Sequence, residues 1–169
     1  YMSTLNILFD IKKLRMYEKN YYKSSGSLKL DNNALEINFT EGDLLGDLNT
    51  NFERYLNINL SGLNIDSSKL NIIQPNKQSL NDFTIDVSLR NSVIDSYKIE
   101  NFSSSIYRNG SDFEIRDLKM NSNILKITSR PQDTYFIYRE ENNSNEIKGH
   151  FQIANMNRIP FLQTEEKFS

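Results

Sequence analysis

The stretch Phe83–Leu89, with the sequence FTIDVSL, decides the fold class, because apolar and polar residues alternate in it without interruption. A period of two places every second side chain on the same face of a β-strand. This segment is therefore predicted to be a strand with one apolar face and one polar face.

The same alternation recurs on both sides of Phe83–Leu89, and turn sequences such as Asp31-Asn32-Asn33 separate the alternating segments. Asn109-Gly110, between two of them, is the strongest short-range signal for a β-hairpin. The apolar members are predicted to line one face of a sheet, and they are Leu5, Ile7, Phe9, Ile11, Leu28, Leu30, Leu35, Ile37, Phe39, Leu56, Ile58, Leu60, Phe83, Ile85, Val87, Leu89, Phe113, Ile115, Leu125, Ile127, Tyr135, Ile137, Ile147, Phe151 and Ile153.

Composition excludes several classes of protein. The chain has 23 Asn and only two Ala, which argues against a helical bundle because Ala favours helices and Asn does not. A net charge of -2 gives no basic surplus for a nucleic-acid partner, and the absence of Cys removes thiolate metal sites and thiol nucleophiles. No apolar run approaches the roughly 18–20 residues of a membrane span.

The residues that could carry chemistry are few and isolated. His150 is the only imidazole, and it lies on the polar parity of its predicted strand, without a framing Ser or carboxylate. Glu140-Glu141 and Glu165-Glu166 are adjacent pairs, which in a strand point to opposite faces. The sequence therefore predicts no catalytic residue, no metal site and no cofactor, and the protein is expected not to be an enzyme.

A weak internal repeat is also visible. Leu28, Leu35 and Ile37 correspond to Ile106, Phe113 and Ile115, and the offset in sequence number is the same for all three pairs. Residues 1–169 are accordingly interpreted as one fragment of a larger repeating β-sheet domain, with internal units of about 1–80 and 81–169. Because the chain begins with Tyr1, we also expect it to be a piece of a longer protein whose flanking strands pair with its edges.

A sheet with one apolar face must cover that face. The sequence offers no long amphipathic helix for this purpose, although residues 66–77 and 155–163 could each form a short helical turn. Two arrangements remain, which are a self-packed sandwich and a curved sheet folded around an apolar ligand.

Residues 103–163 resemble the repeating unit of the large AsmA-like envelope proteins, in particular the YhdP type related to TamB. The resemblance is carried by FEIRDLKM at 113–120, ILKITS at 124–129 and IKGHFQIANM at 147–156, followed by a helical turn at 158–162. The segment at 35–46 is similar in style to a second copy of this unit.

The resemblance implies a fold, a function and a location. The fold would be all-β, an elongated and curved antiparallel sheet of repeating strand–turn–strand units that forms a groove, with one or two short helical turns. The function would be phospholipid transport between the inner and outer membranes of a Gram-negative bacterium, with acyl chains as partners in the groove. The parent protein would be anchored in the inner membrane and span the periplasm. The alternative is a structural or adaptor module for envelope assembly or protein–protein interaction.

Overall fold

Thirteen β-strands make up the regular secondary structure of the computed structural model, which describes residues 4–16, 18–66, 82–110, 112–127, 134–139, 144–147 and 151–153. The strands are β1 (Leu5–Met16), β2 (Lys19–Leu30), β3 (Leu35–Glu41), β4 (Leu45–Thr50), β5 (Tyr55–Ser61), β6 (Asn64–Ile65), β7 (Phe83–Ile94), β8 (Tyr97–Asn109), β9 (Asp112–Ser122), β10 (Leu125–Ile127), β11 (Thr134–Arg139), β12 (Ser144–Ile147) and β13 (Phe151–Ile153). Helices are absent from these residues.

All thirteen strands belong to one curved, open sheet, which confirms the predicted all-β fold. Its main path runs β1-β2-β3-β4-β5-β7-β8-β9-β10-β13, while β11 pairs with β9 and β12, and β6 pairs with β7. The short helical turns expected at 66–77 and 155–163 lie outside the described residues, except for Asp66 itself.

The sheet is mixed, whereas the sequence predicted an antiparallel one. β5 and β7 run parallel, and so do β6 and β7. Residues 62–82 separate β5 from β7, and parallel neighbours need a connection of about a dozen residues or more. Alternation shows that two segments are strands, but it carries no information about their relative direction.

Two hairpins in the sheet have the same register. The β1–β2 hairpin begins with the pair Leu5–Leu30 and ends with Met16–Lys19. The β7–β8 hairpin begins with the pair Phe83–Arg108 and ends with Ile94–Tyr97. Each of these four positions follows its counterpart in the first hairpin by the offset that relates Leu28 to Ile106.

The third strand of each set continues this correspondence. Leu28 pairs with Ile37, and Ile106 pairs with Ile115 at the same offset. Both strand pairs also have a register shift at the corresponding place, next to Ser25 and next to Ser103. The unit boundaries at about 80 and 81 remain a prediction.

The buried core lies at the end of the sheet where β1 and β7 finish. The alternation of side chains between the two faces changes there, where the pairing omits Lys12 and Lys23 in one hairpin and Asn91 and Glu100 in the other. Lys23 and Asn91 have left-handed backbone angles of φ 55 and φ 46. Beyond them Leu14 and Ile94 pack inward, although each has the opposite parity to the apolar residues earlier in its strand. The cluster consists of Tyr21, Leu44, Leu60, Leu63 and Leu89.

The predicted hairpin at Asn109-Gly110 is present, shifted by one residue. Asn109 is the last residue of β8 and pairs with Asp112, the first residue of β9. Gly110 follows Asn109 with φ 59, a conformation that glycine adopts without a Cβ clash.

Candidate functional site: the apolar face and its open rows

Backbone pairing aligns the apolar residues into rows that cross the sheet. Residues directly opposite each other on paired strands point to the same face. One row takes a residue from each of ten strands, and we name it the Leu5 row: Leu5, Leu30, Leu35, Thr50, Leu56, Ile85, Ile106, Ile115, Phe136 and Ile147.

Two further rows lie nearer the buried core on the same face. The Ile7 row consists of Ile7, Leu28, Ile37, Leu48, Ile58 and Val87. The Phe9 row consists of Phe9, Gly26, Phe39, Gly46, Leu60, Leu89, Phe102, Met120, Ile127 and Phe151.

The remaining predicted lining positions fall next to these rows, with two exceptions on β11. By alternation, Ile11, Phe83, Phe113 and Leu125 belong to the same face, and the backbone of Ile153 pairs with Leu125.

Strand β11 is the place where the predicted face is wrong. Ile137 pairs with Glu114 and therefore lies on the opposite face to Ile115, whereas Phe136 pairs with Ile115. A register shift between Thr134 and Phe136 brackets Tyr135, so the backbone does not align that residue with the Leu5 row. An irregularity of this kind shifts the face that a strand presents.

The rows differ in how deeply their side chains are buried. In the Phe9 row, Leu60 and Leu89 are each 6% exposed, and Ile127 is 7% exposed. In the Leu5 row, Leu5 is 51% exposed, and every other side chain whose burial is described is half-buried. The apolar face is thus closed at the core end and open along the Leu5 row.

A glycine allows two aromatic rings to meet on this face. Gly26 stands between Phe9 and Phe39 in the Phe9 row, and the two rings make an edge contact with centroids 5.7 Å apart and an interplanar angle of 67°. A Cβ atom on Gly26 would lie 2.8 Å from the Phe9 ring and 1.8 Å from the carbonyl oxygen of Asn38.

The opposite face is polar and hydrogen-bonded across strands. The Asp47 carboxylate accepts amide hydrogen bonds from Asn49, Asn57 and Asn59 at 2.8, 3.2 and 2.8 Å. Burial raises the pKa of Tyr55, and the negative Asp86 and Asp47 carboxylates raise it further. This face suits contact with water, so the two sides of the sheet differ sharply in polarity.

Five residues of the buried core were not predicted from the sequence. Leu63 and Ile124 lie in breaks between strands, where alternation gives no signal. Leu44 lies just before β4 and alternates with Gly46 and Leu48, but it was not among the predicted lining residues. Tyr21 and Ile99 lie in strands but on the parity opposite to the apolar residues nearer the open end.

The described residues bring no group of three His, Cys, Asp or Glu side chains together in a way that could hold a metal ion. His150 and the two Glu pairs lie outside the described residues. Within the described part of the chain, no helix is long and apolar enough to cross a membrane.

The chain matches no protein-family model, and comparison with curated proteins and with solved structures likewise finds no match. The class that the fold and face define is a single-sheet, all-β protein with one apolar face that is partly open.

Proposed function

We propose that this chain is a non-enzymatic segment of a lipid-conducting protein, and that its open apolar face shelters phospholipid acyl chains. The observation that carries the proposal is the Leu5 row. Backbone pairing aligns the residues of this row, nearly all of them apolar, across ten strands, and none of the side chains whose burial is described is fully buried.

The size of the row suits an acyl chain. Neighbouring strands are about 4.8 Å apart, so the Leu5 row extends for about 43 Å along the sheet. An acyl chain in one leaflet extends for about 15 Å, half of the roughly 30 Å hydrocarbon core of a bilayer. Keeping each CH₂ group out of water contributes about 0.8 kcal/mol, which favours a continuous lining over one specific pocket.

The setting follows from the resemblance to AsmA-like proteins. In this proposal the parent protein is anchored in the inner membrane of a Gram-negative bacterium and spans the periplasm. Phospholipids pass along the face between the inner and outer membranes, and flanking strands of the parent chain extend the sheet. Neither a metal nor a nucleic acid takes part.

Photo-crosslinking from two positions in the Leu5 row tests the proposal. Ile85 and Ile115 are both paired with Ile106, so probes at these two sites face the same part of the row. Matched probes at Thr84 and Glu114 are one residue away on the polar face. In cells that make the parent protein, we expect lipid adducts from Ile85 and Ile115 only. Equal lipid labelling from all four sites would contradict the proposal.

The adaptor alternative has its own supporting observation, which is the exposure of apolar side chains on the first strand. Leu5 and Ile7 are 51% and 43% exposed, and Leu8 on the other face is 87% exposed. Protein adducts rather than lipid adducts from Ile85 and Ile115 would favour the adaptor.

A further inference from the structure

An arginine stands on the apolar face beside the Leu5 row. Phe83 pairs with Arg108, and Arg108 pairs with Phe113, so we name these three residues the Phe83 row. Arg108 follows Ile106 of the Leu5 row by two positions in β8, which is a distance of about 7 Å along the strand. Because side chains two positions apart in a strand point to the same face, Arg108 belongs to the face that carries the Leu5 row.

The repeat shows that this position does not need a charge for packing. The counterpart of Arg108 is Leu30, at the offset that relates the two hairpins. Leu30 pairs with Leu5 and with Leu35, so the row that corresponds to the Phe83 row is apolar throughout. A leucine is therefore sufficient for the structure at this position, and the charge in the second unit points to a ligand.

Two contacts hold the guanidinium of Arg108 in place. Its Nε donates a hydrogen bond to the carbonyl oxygen of Gly110 at 3.0 Å, and its Cζ lies 5.5 Å from the centroid of the Phe113 ring. The side chain is half-buried, and stacking on an aromatic ring orients the planar guanidinium. Its two terminal NH₂ groups form a fork that matches two oxygens of a phosphate.

Two neighbouring arginines have carboxylate partners. Arg116 forms an ion pair with Glu114, and Arg139 forms one with Asp112. Within the described part of the chain, Arg108 takes part in neither pair. A half-buried charge beside apolar side chains is stabilised by an anionic partner, and the attraction is stronger there than in bulk water.

We propose that Arg108 binds the phosphate group of a phospholipid whose acyl chains lie along the Leu5 row. This inference rests on the proposed function, and it adds the chemical class of the headgroup and its position. The phosphate lies at the Phe83 row, and the acyl chains cover the apolar side chains next to it. One lipid can contact both, because the two rows are about 7 Å apart and an acyl chain extends for about 15 Å.

Two lipids that differ only in the phosphate test the proposal on the full chain. Phosphatidic acid and diacylglycerol, each with the same fluorescent acyl chain, are titrated against the purified protein. Because a hydrogen bond to a charged group is strong, phosphatidic acid should bind about tenfold more tightly or better. Inorganic phosphate, titrated alone, should bind much more weakly than phosphatidic acid, since it has no acyl chain to contact the Leu5 row.

Arg108→Leu is the main variant, and it is expected to fold because Leu30 occupies the equivalent position. Its preference for phosphatidic acid should fall to within about twofold, with the affinity for diacylglycerol unchanged. Arg90→Leu removes the same charge from an exposed position on the polar face and should keep the preference. Arg108→Lys keeps the charge without the guanidinium fork, so it should keep only part of the preference.

Equal affinity of the wild type for the two lipids would overturn the proposal, and so would an undiminished preference in Arg108→Leu. Inorganic phosphate that binds as tightly as phosphatidic acid would show a site for free phosphate and would overturn it too. The proposed function survives each of these results as long as diacylglycerol binds. Binding of neither lipid by the wild type would contradict the proposed function itself, and the headgroup site with it.

Discussion

The phenolic oxygen of Tyr21 makes two hydrogen bonds with the backbone of Asn64, one as donor to the carbonyl oxygen and one as acceptor from the N–H, both at 2.8 Å. Tyr21 is 2% exposed, and the two residues are 43 positions apart in the sequence. This side chain therefore joins β2 to the short strand β6 beside the buried core. Both backbone polar groups of Asn64 find their partner in a single hydroxyl.

Tyr21→Phe should destabilise the fold, because it removes the hydroxyl and leaves two backbone groups of Asn64 without that partner. Loss of a partner for a buried polar group costs about 1–3 kcal/mol. Urea unfolding followed by circular dichroism measures the change in the free energy of unfolding. Tyr22→Phe is the matched control, since Tyr22 is 49% exposed, and should change stability by less than about 0.5 kcal/mol. Equal effects of the two substitutions would show that the hydroxyl of Tyr21 contributes nothing specific.

Stability should also fall in alkaline solution, and Tyr21 should account for part of the fall. Burial raises the pKa of Tyr21, and the hydrogen bond from the Asn64 backbone lowers it by less. A raised pKa in the folded state stabilises the fold at pH values below the unfolded pKa of about 10, and this contribution is lost as the pH rises through the folded pKa. The stability difference between wild type and Tyr21→Phe should therefore shrink above about pH 10. A difference that stays constant across that range would contradict the expectation.

Gly26→Ala should destabilise the sheet, because the new Cβ would lie 1.8 Å from the carbonyl oxygen of Asn38. A contact this short against backbone forces the strands apart, and overpacking of this kind costs about 1–3 kcal/mol. The contact between Phe9 and Phe39 across the glycine should be lost as well. Ser27→Ala, one residue along on the polar face, is the control, and thermal unfolding compares the two variants. A Gly26→Ala protein as stable as the control would show that the strands move aside at little cost.

Ile85→Asp should weaken acyl-chain binding, because it places a charge in the middle of the Leu5 row. Removing the apolar contact of one half-buried isoleucine corresponds to about 1 kcal/mol or more, or at least about fivefold in affinity. Thr84→Asp puts the same charge on the polar face and should leave affinity within about twofold. Titration of the purified protein with a fluorescent fatty acid measures both, and circular dichroism verifies that both variants fold. A similar loss of affinity in both would argue against one lipid-binding face.

Alternation was sufficient to predict most of the apolar face, because a regular strand repeats its geometry every two residues. Leu56, Ile58 and Leu60 show this well, since they pair with Ile85, Val87 and Leu89 on one face. The lipid-binding role, the metal-free and non-enzymatic character, and the envelope location remain predictions.

The core end of the sheet was not predictable in the same way. Lys23 and Asn91 take left-handed backbone angles, and a lysine gives little sequence signal for such a conformation. The change of parity that brings Tyr21 and Ile99 into the interior occurs where each hairpin omits a pair from its register, and apolar alternation does not mark such a place. The parallel pairing of β5 with β7 could not be predicted either, because it joins two segments that are separated in the sequence by residues 62–82.

Because the register repeats, each repeat unit extends the sheet by the same distance, measured across its strands. From β1 to its equivalent β7 the sheet advances by five strand spacings, about 24 Å along its curve, for about 80 residues of sequence. This is about 0.3 Å per residue, compared with about 1.5 Å in a helix and about 3.3 Å along a strand. A sheet of this kind that extends for about 100 Å would need about 330 residues. Its length therefore increases slowly with sequence length, and it increases by whole repeat units. Removal of one complete unit from such a protein should shorten the sheet by about 24 Å. The residues of the remaining rows should stay paired in the same register and on the same face.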